Sequence, residues 1–221
     1  MFDFKKAKSL INEDLNHYLE NIIKKRLFAN GYIFYGAEGI GKKETALKFI
    51  KKIFKKYSSS KNIGEKIEND NHPDFLVIEA TSFTKGKGTK NADSKVLIKN
   101  NSEIIKIEQI RNIRTFLSQK SIESEKKIVL IVNAHLLNEA ASNCLLKTLE
   151  EPNNGIFILL TSELNLLLET VKSRCQIVRF RPFSSKQIEL FFRDNLDPSI
   201  LEINKKLNFQ DLVHSSNGSP K

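Results

Sequence analysis

A glycine-rich stretch from Gly36 to Lys43 carries the clearest chemical signature of the chain. It follows a short apolar run, precedes a helical pattern, and matches the phosphate-loop motif G-x-x-x-x-G-K-[ST] at every defined position except the last. Glycines allow backbone N–H groups to surround phosphate oxygens, and the start of the next helix favours negative charge. We therefore predict a nucleotide-binding loop with contacts from Gly36, Gly39, Gly41, Lys42 and Lys43. The alternative is a tight turn that is rich in glycine only for packing.

Three positions that handle magnesium and water in an active nucleotide hydrolase carry the wrong chemistry. The last motif position should offer a hydroxyl to Mg²⁺, but it is Lys43, and an ammonium group cannot ligate a cation. The buried strand that should end in an Asp-Glu pair ends in Val132 and Asn133; valine binds no metal and an amide is no general base. The combined loss predicts a site that does not hydrolyse nucleotide, requires no cofactor or metal, and binds ATP or ADP at most weakly.

The elements around this loop alternate between buried strands and amphipathic helices. Apolar runs without polar alternation are typical of parallel strands covered on both faces. Four such runs occur, at residues 32–35, 75–78, 128–132 and 156–160, and a fifth predicted strand at 177–180 includes Arg179. Helical spacing occurs at residues 46–57, 107–117 and 139–150, and Asn138 is a good N-cap for the last of these. This order predicts a doubly wound α/β domain with a five-stranded parallel sheet between helices.

The pattern becomes purely helical after Arg181 and Pro182, which mark a predicted domain boundary. We predict an α/β domain at residues 1–182 and an incomplete small helical lid domain at residues 183–221. The polar stretch from Thr81 to Asn101 is predicted to be a long loop with a small hairpin at residues 96–98.

Composition narrows the classes of function. The 221 residues contain no apolar run near the roughly 20 needed to cross a bilayer and no signal-peptide pattern, so we expect a cytoplasmic protein with no membrane partner. Cys144 and Cys175 lack metal-ligand spacing, which argues against zinc and favours reduced thiols. The formal charge of +10 favours encounter with polyanions, so a basic DNA-binding module is one alternative function.

Four segments together resemble the clamp-loader branch of the AAA+ ATPases. They are the helical run at residues 138–152, the Ser173-Arg174-Cys175 motif, the strand at 157–162 and the lead-in at 26–32. The similarity extends over residues 15–221. Within that branch, the degenerate phosphate loop is most similar to the delta-prime subunits of bacterial DNA polymerase III.

The resemblance implies a stator subunit that stands beside motor subunits and does not hydrolyse ATP. Arg174 would be an arginine finger acting in trans on the neighbour's ATP site, and Ser162 would hold the sensor-1 position. The implied partners are the gamma/tau motor subunits and the delta subunit, with the sliding clamp contacted indirectly and primer–template DNA nearby. The family's zinc module and collar domain are absent from the sequence, and we expect the chain to end within its second domain.

Two other interpretations stay open from the sequence. Arg174 could serve only in an ion pair with a local carboxylate. The chain could also be an active motor subunit, with Asp74 or Glu79 replacing the lost metal ligand and general base. Glu150 is interpreted as part of an exposed helix face with ion pairs three and four residues apart.

Overall fold

The fold is that of a computed structural model, which describes residues 13–58, 62–82 and 103–187. Its strands are β1 (Gly31–Tyr35), β2 (Phe75–Ile78), β3 (Thr81–Ser82), β4 (Glu103–Ile104), β5 (Lys127–Ile131), β6 (Gly155–Thr161) and β7 (Gln176–Arg179). Its α-helices are α1 (Glu13–Lys25), α2 (Lys42–Tyr57), α3 (Ile63–Glu68), α4 (Ile107–Ser118), α5 (Glu139–Glu150) and α6 (Glu169–Lys172). Short 3₁₀ turns lie at Ala134–Leu136 and Leu164–Leu166.

Five strands form one parallel sheet in the order β2–β5–β6–β1–β7, which confirms the predicted architecture. β1 is hydrogen-bonded on both sides, and its last residue, Tyr35, pairs with Thr161 of β6 and Arg179 of β7. Because all five strands run in the same direction, the residues that follow them share one edge, named here the carboxyl edge, and those that precede them share the amino edge. The glycine-rich loop leaves the carboxyl edge directly after β1.

Helices cover both faces of the sheet, which explains why its strands are apolar at successive positions. In β1, Tyr32 and Phe34 pack in a core cluster with α1 and α2, whereas Ile33 packs in a second cluster with α4 and α5. All three side chains are fully buried. In α2, the residues that define the predicted helical spacing are buried: Ala46, Ile50, Ile53 and Tyr57.

Helix α1 was not among the helices predicted from the sequence, but it is present in the structure. It buries four apolar side chains against the sheet: Leu15, Leu19, Ile22 and Ile23. Their spacing of three and four residues is the signal that indicates this helix, within a segment otherwise rich in charge.

The connection after β2 begins as an antiparallel ribbon, in which Thr81 pairs with Ile104 and Ser82 pairs with Glu103. The segment predicted as a loop from residue 81 therefore starts with two paired residues. The hairpin predicted at residues 96–98 lies outside the described residues, as does the predicted lid domain from residue 188 onward.

Candidate functional site

The glycine-rich loop joins β1 to α2 at the carboxyl edge, where β1 lies between β6 and β7. Gly39 and Gly41 have φ angles of 75° and 85°, in the left-handed region that favours glycine. Gly41 immediately precedes α2, and its carbonyl accepts a hydrogen bond from the N–H of Thr45 at 3.0 Å. The backbone of the loop therefore has the strand–turn–helix geometry that the motif predicts.

Gly36 is constrained by packing rather than by its φ angle. A Cβ at this position would lie 2.8 Å from both the Cβ and the carbonyl oxygen of Phe180, closer than such atoms approach. The N–H of Phe180 donates to Tyr35 at 2.7 Å and the N–H of Gly36 donates to Thr161 at 3.3 Å. The packing interpretation therefore accounts for Gly36, while the left-handed angles account for Gly39 and Gly41.

The ammonium group of Lys42 hydrogen-bonds to the backbone of the glycine-rich loop. Its Nζ donates to the carbonyl oxygens of Gly36 at 2.7 Å and Ala37 at 2.6 Å. A phosphate group bound in the loop would compete with these carbonyls for the ammonium. The contact also links Gly36 and Ala37, at the start of the loop, to Lys42, at its end.

Lys43, at the magnesium position of the motif, is engaged in an ion pair across the carboxyl edge. Its Nζ lies 2.7 Å from Oε1 of Glu79, which follows β2 directly, and both side chains are about half exposed. The ammonium brings positive charge to the motif position that would offer a hydroxyl to Mg²⁺, and it pairs with the Glu79 carboxylate. These residues do not fit a magnesium ion.

The positions of the acidic pair are occupied by groups with structural roles. The side chain of Val132 is half-buried and packs against the core cluster of α1 and α2, and its N–H donates to Ile78 at 2.9 Å. Asn133 is exposed and has a left-handed backbone, with φ 54° and ψ 53°, which asparagine tolerates better than most residues.

Ser162 follows β6 beside the loop, because Thr161 pairs with Tyr35 one residue before Gly36. The hydroxyl of the buried Thr161 lies 3.2 Å from Nδ1 of His135 and accepts the N–H of Glu163 at 3.0 Å. Loop and predicted sensor position are thus brought together at the carboxyl edge.

Arg174 lies at the opposite, amino edge, just before β7. Its Nε donates to Oε1 of Glu150 at 2.9 Å, its Nη2 donates to the same oxygen, and its Nη1 donates to the carbonyl of Thr170 at 3.0 Å. The Arg174 side chain remains 36% exposed. The ion pair with a local carboxylate, one of the interpretations left open by the sequence, is therefore present.

Cys175, the residue after Arg174, packs against the start of β1. A Cβ at Gly31 would lie 2.6 Å from Sγ of Cys175, so the thiol rests directly against the start of β1. Burial raises the pKa of the Cys175 thiol to about 12. The thiol is a packing group rather than a nucleophile.

The length of β1 separates the two candidate sites. Cys175 lies against Gly31 at one end of this five-residue strand, and the loop starts at Gly36 beyond the other end. At about 3.3 Å per residue the separation is about 17 Å, longer than an arginine side chain. Arg174 therefore cannot reach the phosphate loop of its own chain.

Comparison with known proteins establishes the family. A family model described as DNA polymerase III, delta subunit matches residues 11–184. The chain belongs to this family. DNA polymerase III subunit delta' of Bacillus subtilis (strain 168) is 32% identical over 178 residues, which cover 77% of this chain and 48% of the relative. The resemblance to delta-prime subunits is confirmed, and the chain spans about half the length of this relative.

Two further likenesses place this delta-prime family member among related proteins. DNA polymerase III subunit tau of Bacillus subtilis is 29% identical over 183 residues, covering 80% of this chain and 29% of that protein. The solved structure of a DNA polymerase III gamma subunit-related protein from Thermotoga maritima has a TM-score of 0.55 at 19% identity, covering 90% of this chain and 57% of that chain. The last likeness concerns the fold, and the predicted AAA+ α/β fold is confirmed.

The two carboxylates considered for a motor subunit lie in different places in this family member. Asp74 is fully buried at the amino edge, where it accepts backbone N–H groups of Ile122, Glu123 and Ser124. It is therefore remote from the loop at the carboxyl edge. Glu79 is at the correct edge but is paired with Lys43.

Two contacts in the structure are not indicated by the sequence: Glu79 with Lys43 and Glu150 with Arg174. Glu150 pairs with a residue 24 positions away rather than along its own helix. The local signal was only that Glu150 and Glu151 end a helix of the family motif.

Within the described ranges, no group of three or more His, Cys, Asp or Glu side chains is placed to hold a metal ion. No helix in those ranges is long and apolar enough to cross a membrane.

Proposed function

We propose that this chain is a stator subunit of a DNA polymerase III clamp loader, which supplies Arg174 to the nucleotide site of a neighbouring motor subunit and hydrolyses no nucleotide itself. One observation carries the proposal: Arg174 and the phosphate loop lie at opposite edges of the sheet, separated by the length of β1. An arginine in that position serves a site on another chain or none.

The chemistry of arginine suits this role. A guanidinium is planar, permanently charged and able to donate several hydrogen bonds, so it stabilises the charge that develops on a phosphoryl group during transfer. Arg174 is partly exposed and is held at the surface by neighbouring groups. Loss of the home site through Lys43, Val132 and Asn133 does not remove this contribution.

The proposed partners are the gamma/tau motor subunits and the delta subunit. The sliding clamp would be contacted through those subunits, and primer–template DNA would lie nearby. The likeness to a tau subunit over 80% of the chain supports a common way of packing side by side. The proposed place of action is the cytoplasm, where the loader would act on DNA during replication.

The test is the rate of ATP hydrolysis by a loader reconstituted from this protein and the motor and delta subunits of its own organism. Arg174→Ala should slow hydrolysis at the adjoining site by a factor on the order of 10³, the size of effect such arginines have. Arg174→Lys should be intermediate, because lysine keeps the charge but lacks the planar donor fork.

Arg26→Ala is the matched control, since Arg26 is also an exposed arginine paired with a glutamate, Glu125, at 3.3 Å. It should leave the hydrolysis rate unchanged. An unchanged rate for Arg174→Ala in a fully assembled loader would make the Glu150 ion pair the whole role of Arg174.

A further inference from the structure

The guanidinium of Arg174 is oriented by a carboxylate from another helix. Two of its nitrogens, Nε and Nη2, donate to Oε1 of Glu150, the last residue of α5. On the other side, Nη1 donates to the carbonyl of Thr170 at 3.0 Å and lies 3.4 Å from the hydroxyl of Ser173. The guanidinium plane is thus held on two sides while 36% of the side chain stays exposed.

Both members of this pair are fixed to the start of β1. The side-chain amide of Asn30 donates to the carbonyl of Leu149 at 3.3 Å, next to Glu150. The thiol of Cys175, next to Arg174, rests against Gly31. Two adjacent residues, Asn30 and Gly31, therefore set the positions from which the carboxylate and the guanidinium meet.

A second ion pair in the same turn lacks this support. Lys172 and Glu169 are three residues apart on α6, and the Glu169 side chain is 88% exposed. Such a pair is local and solvent-screened, and its net contribution is small. The Arg174–Glu150 pair, by contrast, joins the end of α5 to the turn before β7, and β6 lies between these two elements in the sequence.

We propose that Glu150 is a positioning residue for Arg174, which orients the guanidinium before it meets the phosphates of the neighbouring chain. This inference rests on the proposed function. An unrestrained arginine side chain has many rotamers, and part of this freedom is lost whenever the group becomes ordered at a site. A guanidinium already held through its Nε side has lost that freedom in advance, and the second N–H of Nη2 remains for another acceptor.

Helix electrostatics distinguish this role from a structural one. A carboxylate at the C-terminus of a helix faces the negative end of the helix dipole, which is unfavourable. Removing the charge of Glu150 should therefore leave α5 as stable as before or slightly more stable. A loss of hydrolysis in such a variant would arise from the arginine and not from a weakened helix.

The test compares Glu150→Ala, Glu150→Gln and the control Glu169→Ala in the reconstituted loader. Glu150→Ala should lower kcat for ATP by up to about 10²-fold, the size of effect that a misplacement of about 1 Å produces, with KM unchanged. Glu150→Gln should recover most of the rate, because its amide oxygen still accepts from Nε. Glu169→Ala removes the carboxylate that pairs with Lys172, two residues before Arg174, and should leave kcat unchanged.

The outcomes separate this inference from the proposed function. If Arg174→Ala slows hydrolysis but Glu150→Ala does not, Glu150 has no positioning role while the arginine finger stands. If Glu150→Ala accelerates hydrolysis, the carboxylate restrains the arginine and the inference is wrong in sign. If Arg174→Ala itself has no effect, the proposed function fails first. Thermal unfolding and gel filtration of each variant establish that fold and assembly are retained.

Discussion

The ammonium nitrogen of Lys43, at the motif position that would offer a hydroxyl to Mg²⁺, lies 2.7 Å from the carboxylate oxygen of Glu79. The lysine at this position thus has two effects, because it provides no hydroxyl ligand and it also pairs with the Glu79 carboxylate. We therefore expect nucleotide hydrolysis at this site to be disfavoured by charge as well as by missing ligands.

ATP binding to the isolated chain should accordingly be weak and the same with and without Mg²⁺, and no hydrolysis should be measurable. Calorimetry combined with a phosphate-release assay provides both measurements. Lys43→Thr restores the hydroxyl and releases Glu79, so its ATP binding should become tighter when Mg²⁺ is present. Hydrolysis should stay absent in that variant, because Val132 and Asn133 still provide no base.

Lys48→Thr, an exposed position on the same helix, is the control and should behave as the unaltered chain. Magnesium-dependent hydrolysis by the unaltered chain, abolished by Lys42→Ala, would make the protein a motor subunit instead of a stator.

The sheet could be predicted from the sequence because its strands are buried on both faces. The runs at 128–132 and 156–160 are apolar without interruption, and the structure places β5 and β6 within one residue of them. The loop could be predicted because Gly39 and Gly41 mark left-handed backbone. Apolar runs and glycine spacing can be recognised from residues that are neighbours in the sequence, so no knowledge of the strand order is needed.

The partners of the charged residues could not be predicted in this way. Lys43 meets Glu79 only because α2 and the end of β2 share one edge, and Arg174 meets Glu150 only because α5 ends beside the turn before β7. Both contacts depend on the strand order β2–β5–β6–β1–β7, which periodicity does not specify. The sequence therefore indicates which residues can do chemistry but not which carboxylates form ion pairs with them.

His72 should make folding sensitive to acid. Its ring is buried and stacked on Phe54 at 4.1 Å, and its Nδ1 accepts the N–H of Asp74 at 3.2 Å. Burial lowers the pKa of His72, and the nearby charges of Glu123 and Asp74 oppose this shift while Lys66 adds to it. Because the unfolded chain then binds a proton more readily than the folded chain, stability present above about pH 6.5 should be lost as the pH falls towards the folded-state pKa.

Urea unfolding at pH 7.5 and pH 5.5 measures this effect. The free energy of unfolding should fall on acidification by more in the unaltered protein than in His72→Asn, with a difference on the order of 1 kcal/mol. His17→Asn, at an exposed histidine, should show the pH dependence of the unaltered protein. Equal pH dependence in the unaltered protein and His72→Asn would contradict the prediction.

Asp74 should be essential for stability and irrelevant to nucleotide chemistry. Its carboxylate is fully buried and accepts the N–H groups of Ile122 at 2.9 Å, Glu123 at 2.7 Å and Ser124 at 2.8 Å. Asp74→Ala leaves these donors without an acceptor and should lower the free energy of unfolding by about 3 kcal/mol or more. Asp14→Ala, at an exposed aspartate of α1, should cost less than about 1 kcal/mol.

A side chain at Gly31 should destabilise the protein, because Cys175, the residue after Arg174, packs against the start of β1. A Cβ there would lie 2.6 Å from Sγ of Cys175 and 3.2 Å from Cδ2 of Leu149, whose carbonyl is held by Asn30. We expect Gly31→Ala to lower the free energy of unfolding by about 1–3 kcal/mol, as overpacking of a core does.

Gly64 provides the matched comparison, since it lies within α3 and a Cβ there would meet nothing within 4 Å. Gly64→Ala should raise the free energy of unfolding by about 0.5–1 kcal/mol, because alanine restricts the unfolded chain and favours helix. Adding Cys175→Ala to Gly31→Ala removes the sulfur that the new methyl group meets and should recover part of the lost stability. If the double variant is no more stable than Gly31→Ala alone, the thiol is not the group that excludes a side chain at the start of β1.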